Sequence, residues 1–83
     1  MSTDKQVTAR DLAVAEMEYI KSLPYASDHY NYDPALIPSG GSYSVAVQNP
    51  PQSLQDGNLQ KITVVISKNG VTVFQLEDYK INW

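Results

Sequence analysis

The first quarter of the chain carries apolar residues at spacings of three and four. They are Ala9, Leu12, Ala13, Met17 and Ile20. Because an α-helix turns once in about 3.6 residues, these residues share one face, and the pattern predicts an amphipathic helix over residues 4–22. Thr3 and Gln6 fit a capping box at its start, and Pro24 disfavours helical backbone just before it. A helix with one apolar face needs a second layer to pack on.

An alternation with a period of two replaces the helical spacing in the second half of the chain. Residues 43–47 alternate in this way, and residues 59–67 and 71–79 flank the tripeptide Lys68-Asn69-Gly70. These patterns predict three antiparallel strands, the last two joined as a hairpin. Pro50 and Pro51 end the first of them.

The length of the hairpin loop decides which side chains face each other. A two-residue Asn-Gly turn would pair Val64 with Gln75 and mix apolar with polar side chains on one face. A three-residue loop with Gly70 in the left-handed conformation gives one coherent apolar face, so we expect that register. The expected pairs are Ile66 with Thr72, Val64 with Phe74, and Ile62 with Leu76.

Residues 23–42 lack any periodicity and are rich in tyrosine, aspartate, proline and glycine. We interpret them as an ordered loop held on the core by Tyr25, Tyr30 and Tyr32, whose rings are apolar and whose hydroxyls are polar. The order helix, loop, strands indicates the α+β class. It predicts an N-terminal amphipathic helix packed on a small antiparallel sheet of three to four strands within residues 43–83.

Composition narrows the class of protein. The 83 residues suit a single domain, 1–83, with 42% hydrophobic and 18% charged residues, as in folded proteins. Six basic and nine acidic residues give a net charge of −3, and the basic ones are dispersed, so we expect no nucleic-acid partner. Cysteine is absent, which excludes disulfides and thiolate chemistry. The longest nearly apolar run, 62–66, is far shorter than the roughly 20 residues of a membrane helix.

Catalytic chemistry finds little support in the sequence. His29 is the single histidine and follows Asp28, but no nucleophile elbow or oxyanion motif accompanies it. The helix carboxylates Asp11, Glu16 and Glu18 are assigned to a solvated face. We therefore expect no catalytic residue and no enzyme activity.

Ligand and metal motifs are similarly weak. Asp28, Asn31 and Asp33 are oxygen donors of the type that calcium uses, but three in a loop are few, and such residues are common in turns. Gly40-Gly41 lacks the residues of a phosphate loop. We expect no metal site and no cofactor, and we expect Trp83 to seal an edge of the core.

Two segments nevertheless resemble a known family. The first segment, residues 9–25, is rich in alanine and contains Met17-Glu18, Lys21-Ser22 and Pro24-Tyr25. It is similar to the stretch that follows the hydrophobic half of the first helix in type IV pilin-like proteins. Residues 59–73 and 77–80 resemble the closing hairpin of the same proteins. The two segments span about half of the chain.

The resemblance implies a structural role. A pilin-like protein of this kind, a minor pilin or a type II secretion pseudopilin, lays its helix across an antiparallel sheet and assembles with other pilin or pseudopilin subunits through that helix. The expected location is the cell surface or an extracellular filament, with inner-membrane anchoring before assembly. The family's leader and apolar helix half are absent, so residues 4–22 are interpreted as the distal half of a longer helix in a truncated ectodomain. Membrane contact would need the upstream helix of the parent protein.

The isolated fragment is expected to be a monomer. On the pilin-like reading, the helix face near Arg10, Val14 and Lys21 contacts neighbouring subunits. The alternative is a small extracellular binding or adhesion module that uses the tyrosine-rich loop. The third hypothesis is a small enzyme with His29 in a pocket. The fourth is a sheet domain covered by a helix with no assigned role, because a fold does not by itself specify a function.

Overall fold

A computed structural model describes residues 2–54 and 57–81, with side chains described from residue 8 onward. The capping box of Thr3 and Gln6 lies outside the described side chains. The position of Trp83 lies outside the described residues.

One helix packs on one face of a four-stranded antiparallel sheet, which confirms the α+β class. The elements are α1 (Ser2–Ser22), a 3₁₀ turn (Pro34–Leu36), β1 (Tyr43–Val47), β2 (Gln52–Leu54), β3 (Leu59–Lys68) and β4 (Val71–Ile81). The helix begins two residues before the predicted start. The strand β2 was not predicted, because three residues are too few to show an alternation.

The sheet is built around β3. The strand β4 pairs with β3 along its whole length, while β1 pairs with residues 64–68 and β2 with residues 59–61 on the opposite side. As a result β4 is an edge strand of eleven residues. The molecule is elongated, with extents of 44 × 20 × 19 Å.

The hairpin differs from its prediction. The turn has two residues, Asn69 and Gly70, with φ values of 53° and 79°, and Lys68 pairs with Val71. Both positive φ values suit a type I′ turn, and asparagine and glycine tolerate them best. The expected three-residue loop is therefore wrong.

A register shift between Ile66 and Ser67 follows the turn, where β4 holds one extra residue. The bulge restores the alternation that the two-residue turn would have disrupted, so the apolar residues of both strands still share a face. The observed pairs, each shifted by two residues from the prediction, are Ile66 with Phe74, Val64 with Leu76, and Ile62 with Asp78.

The core lies between α1 and the sheet. All five apolar helix residues named above are at most 4% exposed, which confirms the predicted face. The buried residues packed against them are Tyr30, Val45, Ile62, Val64 and Ile66. The remaining helix surface faces outward, and part of it borders a groove beside β4.

Candidate interaction site

A shallow groove of about 540 Å³ runs between α1 and the edge strand β4. Val14, Met17 and Leu76 provide its apolar lining, while Glu18 and Asp78 contribute carboxylates. The helix packs on β3 and β4, and the groove lies where its outer side meets the edge strand β4. An apolar lining with charged residues around it is typical of a surface that contacts another protein.

The outer face of α1 borders this groove. Val14 is 42% exposed, and Arg10, Glu18 and Lys21 are also exposed. The sequence predicts that Arg10, Val14 and Lys21 lie on the face turned away from the sheet. All three are exposed, but Val14 and Lys21 line the groove beside β4, so they lie at the side of the sheet. An exposed valine beside an apolar groove leaves hydrophobic surface in contact with water.

Lys21 links the helix to the sheet across one end of the groove. Its Nζ lies 2.9 Å from Oδ2 of Asp78 on β4. The hydrogen bond from Lys21, together with one from the Tyr79 backbone N–H, lowers the pKa of Asp78. Both side chains are more than one third exposed, so this ion pair adds little stability by itself.

A buried lysine closes the C-terminal end of α1. Lys80 is 7% exposed, and its Nζ donates to the backbone carbonyl oxygens of Lys21 and Leu23 at 2.7 and 2.6 Å. The Lys21 oxygen belongs to the last turn of α1, where carbonyl groups lack helical partners and carry the negative end of the helix dipole, so an ammonium group stabilises it. Burial, followed by the charge of Lys21, lowers the pKa of Lys80. No sequence signal near Pro24 indicated that β4 supplies this cap.

Tyr30 and Gln60 hold the loop on the sheet. The Tyr30 hydroxyl donates to Oε1 of Gln60 at 2.6 Å and accepts from the Ala26 N–H at 2.8 Å, while Nε2 of Gln60 donates to the Ala26 carbonyl at 2.5 Å. Asn49 exchanges two hydrogen bonds of 3.0 Å with the Tyr30 backbone. Tyr30 and Gln60 are at most 3% exposed. This cluster, the polar clamp, makes residues 23–33 an ordered part of the surface.

The other two loop tyrosines behave differently from each other. Tyr25 donates from its hydroxyl to the Gly57 carbonyl, so it also ties the loop to the far side of the sheet. Tyr32 is 36% exposed, and its predicted role in holding the loop on the core is wrong. Its ring, together with Leu36 at 38% exposure, is instead available to a partner.

Glu16 corrects the assignment of the helix carboxylates to a solvated face. It is fully buried, and its Oε1 accepts from the Asp33 N–H at 2.7 Å. Burial raises the pKa of Glu16, and the hydrogen bond from Asp33 acts in the opposite direction. The sequence carried a signal, since Glu16 is four residues from both Leu12 and Ile20 and therefore lies on the apolar face.

Two of the three oxygen donors of the loop, Asn31 and Asp33, make contacts within the loop itself. Oδ1 of Asp33 accepts from the Ala35 N–H at 3.0 Å and caps the 3₁₀ turn, and Oδ1 of Asn31 lies 2.5 Å from Nε2 of His29. Across residues 2–54 and 57–81, no three Asp, Glu or His side chains group as metal ligands. In that same part of the chain, no helix has the length and hydropathy needed to cross a bilayer.

Comparison with known proteins gives no relative from which a role could be transferred. No family model, curated protein or solved structure matches this chain.

Proposed function

We propose that this protein is a structural subunit that assembles with other subunits through its N-terminal helix, as in a type IV pilus or a type II secretion pseudopilus. The chemistry is that of association: apolar surface is buried between subunits, and no bond is made or broken. On this proposal the parent protein is anchored in the inner membrane and then becomes part of a surface filament.

The observation that carries the proposal is the division of α1 into two faces. One face is buried on the sheet, while the other exposes Val14 beside the groove that Met17 and Leu76 line. A helix that comes first in the chain, lies along a sheet and keeps a partly apolar outer face is suited to side-by-side packing in a filament. The elongated shape, 44 Å in its longest dimension, supports the same arrangement.

Assembly can be tested with a pair of matched variants. Val14→Asp introduces a charge on the outer helix face, and Val73→Asp introduces the same charge at 43% exposure on β4, away from the groove. With the full-length gene expressed in a filament-forming bacterium, immunogold electron microscopy should show labelled filaments with wild type and Val73→Asp but not with Val14→Asp. Filaments that never carry the label, or that tolerate Val14→Asp, contradict the proposal.

The upstream coding sequence offers a simpler check. A run of roughly 20 apolar residues directly before this chain would supply the helix half on which the proposal depends. A native start at Met1 would contradict the proposal.

A second candidate, a binding or adhesion module, is favoured by the exposure of Tyr32 and Leu36 on a loop that the polar clamp keeps ordered. Exposed aromatic residues on ordered loops are common in binding sites. Tyr32→Ala would then abolish binding to cells or immobilised glycans while leaving assembly intact.

A further inference from the structure

The outer face of α1 has a charge pattern that is complementary to itself. Arg10, Val14 and Glu18 are spaced by four residues and form one exposed ridge along the helix. The apolar residue is in the middle, with a positive and a negative residue at equal distances, about 6 Å along the axis on each side. A rotation of 180° about an axis that passes through Val14, perpendicular to the helix, exchanges the two ends of the ridge.

We propose that the occupant of this groove in solution is a second copy of the chain, related by a two-fold axis that passes near Val14. The two helices then run antiparallel, and each Arg10 faces Glu18 of the other copy. The two Val14 side chains then meet at the axis, beside the groove that Leu76 lines. This pairing uses the same helix face as the filament proposal but a closed two-fold geometry, and it differs from the monomer that the sequence predicts.

Both charged residues are available for such contacts. Among the side chains described from residue 8 onward, Arg10 pairs with its neighbour Asp11 at 3.9 Å. Both side chains are exposed, so this pair holds the arginine weakly. Among the side chains that the structure describes, none forms an ion pair with Glu18, and Lys21 contacts Asp78. Two new ion pairs can therefore form without the loss of a strong one.

Strand addition to the open side of β4 is the competing mode, and the structure disfavours it. The bulge near Ser67 twists the strand at one end, and Asp78 and Lys80 point towards the helix at the other. Bulges and inward-pointing charges are features that keep edge strands from pairing. Helix pairing does not require those backbone groups.

The expected dimer is weak. Covering about a tenth of the 5301 Å² surface of each copy buries about 1,000 Å² in total, at the low end for specific interfaces. We expect a dissociation constant on the order of 100 μM, which rises with salt because the ion pairs are exposed.

Sedimentation velocity of the purified 83-residue chain, up to about 1 mM, tests the pairing. Arg10→Glu and Glu18→Arg each place like charges across the two-fold axis, so each should weaken the dimer about tenfold. The double variant restores opposite charges and should return to near the wild-type affinity. Val14→Asp should abolish the dimer, and Val73→Asp should leave it intact. Circular dichroism checks that each variant is folded.

Crosslinking distinguishes this geometry from other ways of associating, since the natural chain has no cysteine. Val14→Cys should form a disulfide dimer under mild oxidation much faster than Val73→Cys. In an Arg10→Cys, Glu18→Cys double variant, the two-fold arrangement gives only dimers, whereas staggered parallel packing gives a ladder of multimers. A monomer at all concentrations, a ladder, or charge variants that do not recover in the double swap would each overturn the proposal.

Discussion

Removal of the Tyr30 hydroxyl should be one of the most damaging single-atom changes in this protein. Tyr30→Phe keeps the ring and creates no cavity, but it removes a group that donates to Gln60 Oε1 and accepts from the Ala26 N–H. Because Tyr30 is 3% exposed, water cannot easily replace the hydroxyl.

The magnitude follows from the two groups that lose a partner. Each buried polar group left without a hydrogen bond costs about 1–3 kcal/mol, so two such groups cost about 2–6 kcal/mol. Because the Ala26 N–H is only partly buried, we expect a loss in the lower part of that range, about 2–4 kcal/mol in the free energy of unfolding. A domain of this length has only about 4–12 kcal/mol in total. The variant should therefore lose roughly a third of the stability of the protein.

Urea denaturation followed by circular dichroism measures this loss. With a slope of about 1 kcal/mol per molar urea, the midpoint should fall by about 2 M or more. Tyr32→Phe is the matched control, since Tyr32 is 36% exposed, and it should stay within about 0.5 kcal/mol of wild type. Combining Tyr30→Phe with Gln60→Met should show a coupling energy of about 1 kcal/mol. A Tyr30→Phe variant as stable as the control would refute the polar clamp.

Three further changes test other parts of the structure. Burial raises the pKa of Glu16, so its contribution to stability is present below the ordinary pKa of 4.5 and is lost as pH rises above it through the folded-state value. Glu16→Gln should therefore lose less stability than wild type as pH rises above 4.5 in urea titrations. The pKa of Asp78 is lowered, so its contribution to stability is present above the ordinary value of 3.8 and is lost as pH falls through the folded-state value. Asp78→Asn should therefore lose less free energy of unfolding than wild type when the pH is lowered. Gly70→Ala places a Cβ at φ 79° and should lower the melting temperature by an amount equivalent to about 1 kcal/mol, whereas equal melting temperatures would contradict the type I′ turn.

The errors in the sequence predictions have physical causes. The three-residue loop was preferred because it keeps one face apolar, and the structure achieves the same result with a two-residue turn and a bulge. A one-residue bulge leaves no mark on the alternation of short strands, so two registers fit the pattern equally well. Glu16 was assigned to solvent from its charge, although its helical position pointed to the core.

The amino-acid sequence by itself determined the parts of the fold that depend on local periodicity. The apolar face of α1, the strand at residues 43–47 and the two long strands of the hairpin follow from spacings of three to four and of two, because these spacings decide which side chains share a face. The sequence likewise placed Arg10, Val14 and Lys21 on the outside.

Only the tertiary structure decided how the charged and polar residues are used. The ion pair of Lys21 with Asp78, the helix cap that Lys80 supplies and the bond of Tyr30 to Gln60 join residues that are 57, 59 and 30 positions apart. Such contacts depend on the register of β3 and β4 and on the placement of the helix over them. A local sequence pattern specifies neither the strand register nor the position of the helix, because the packing of the whole core sets both.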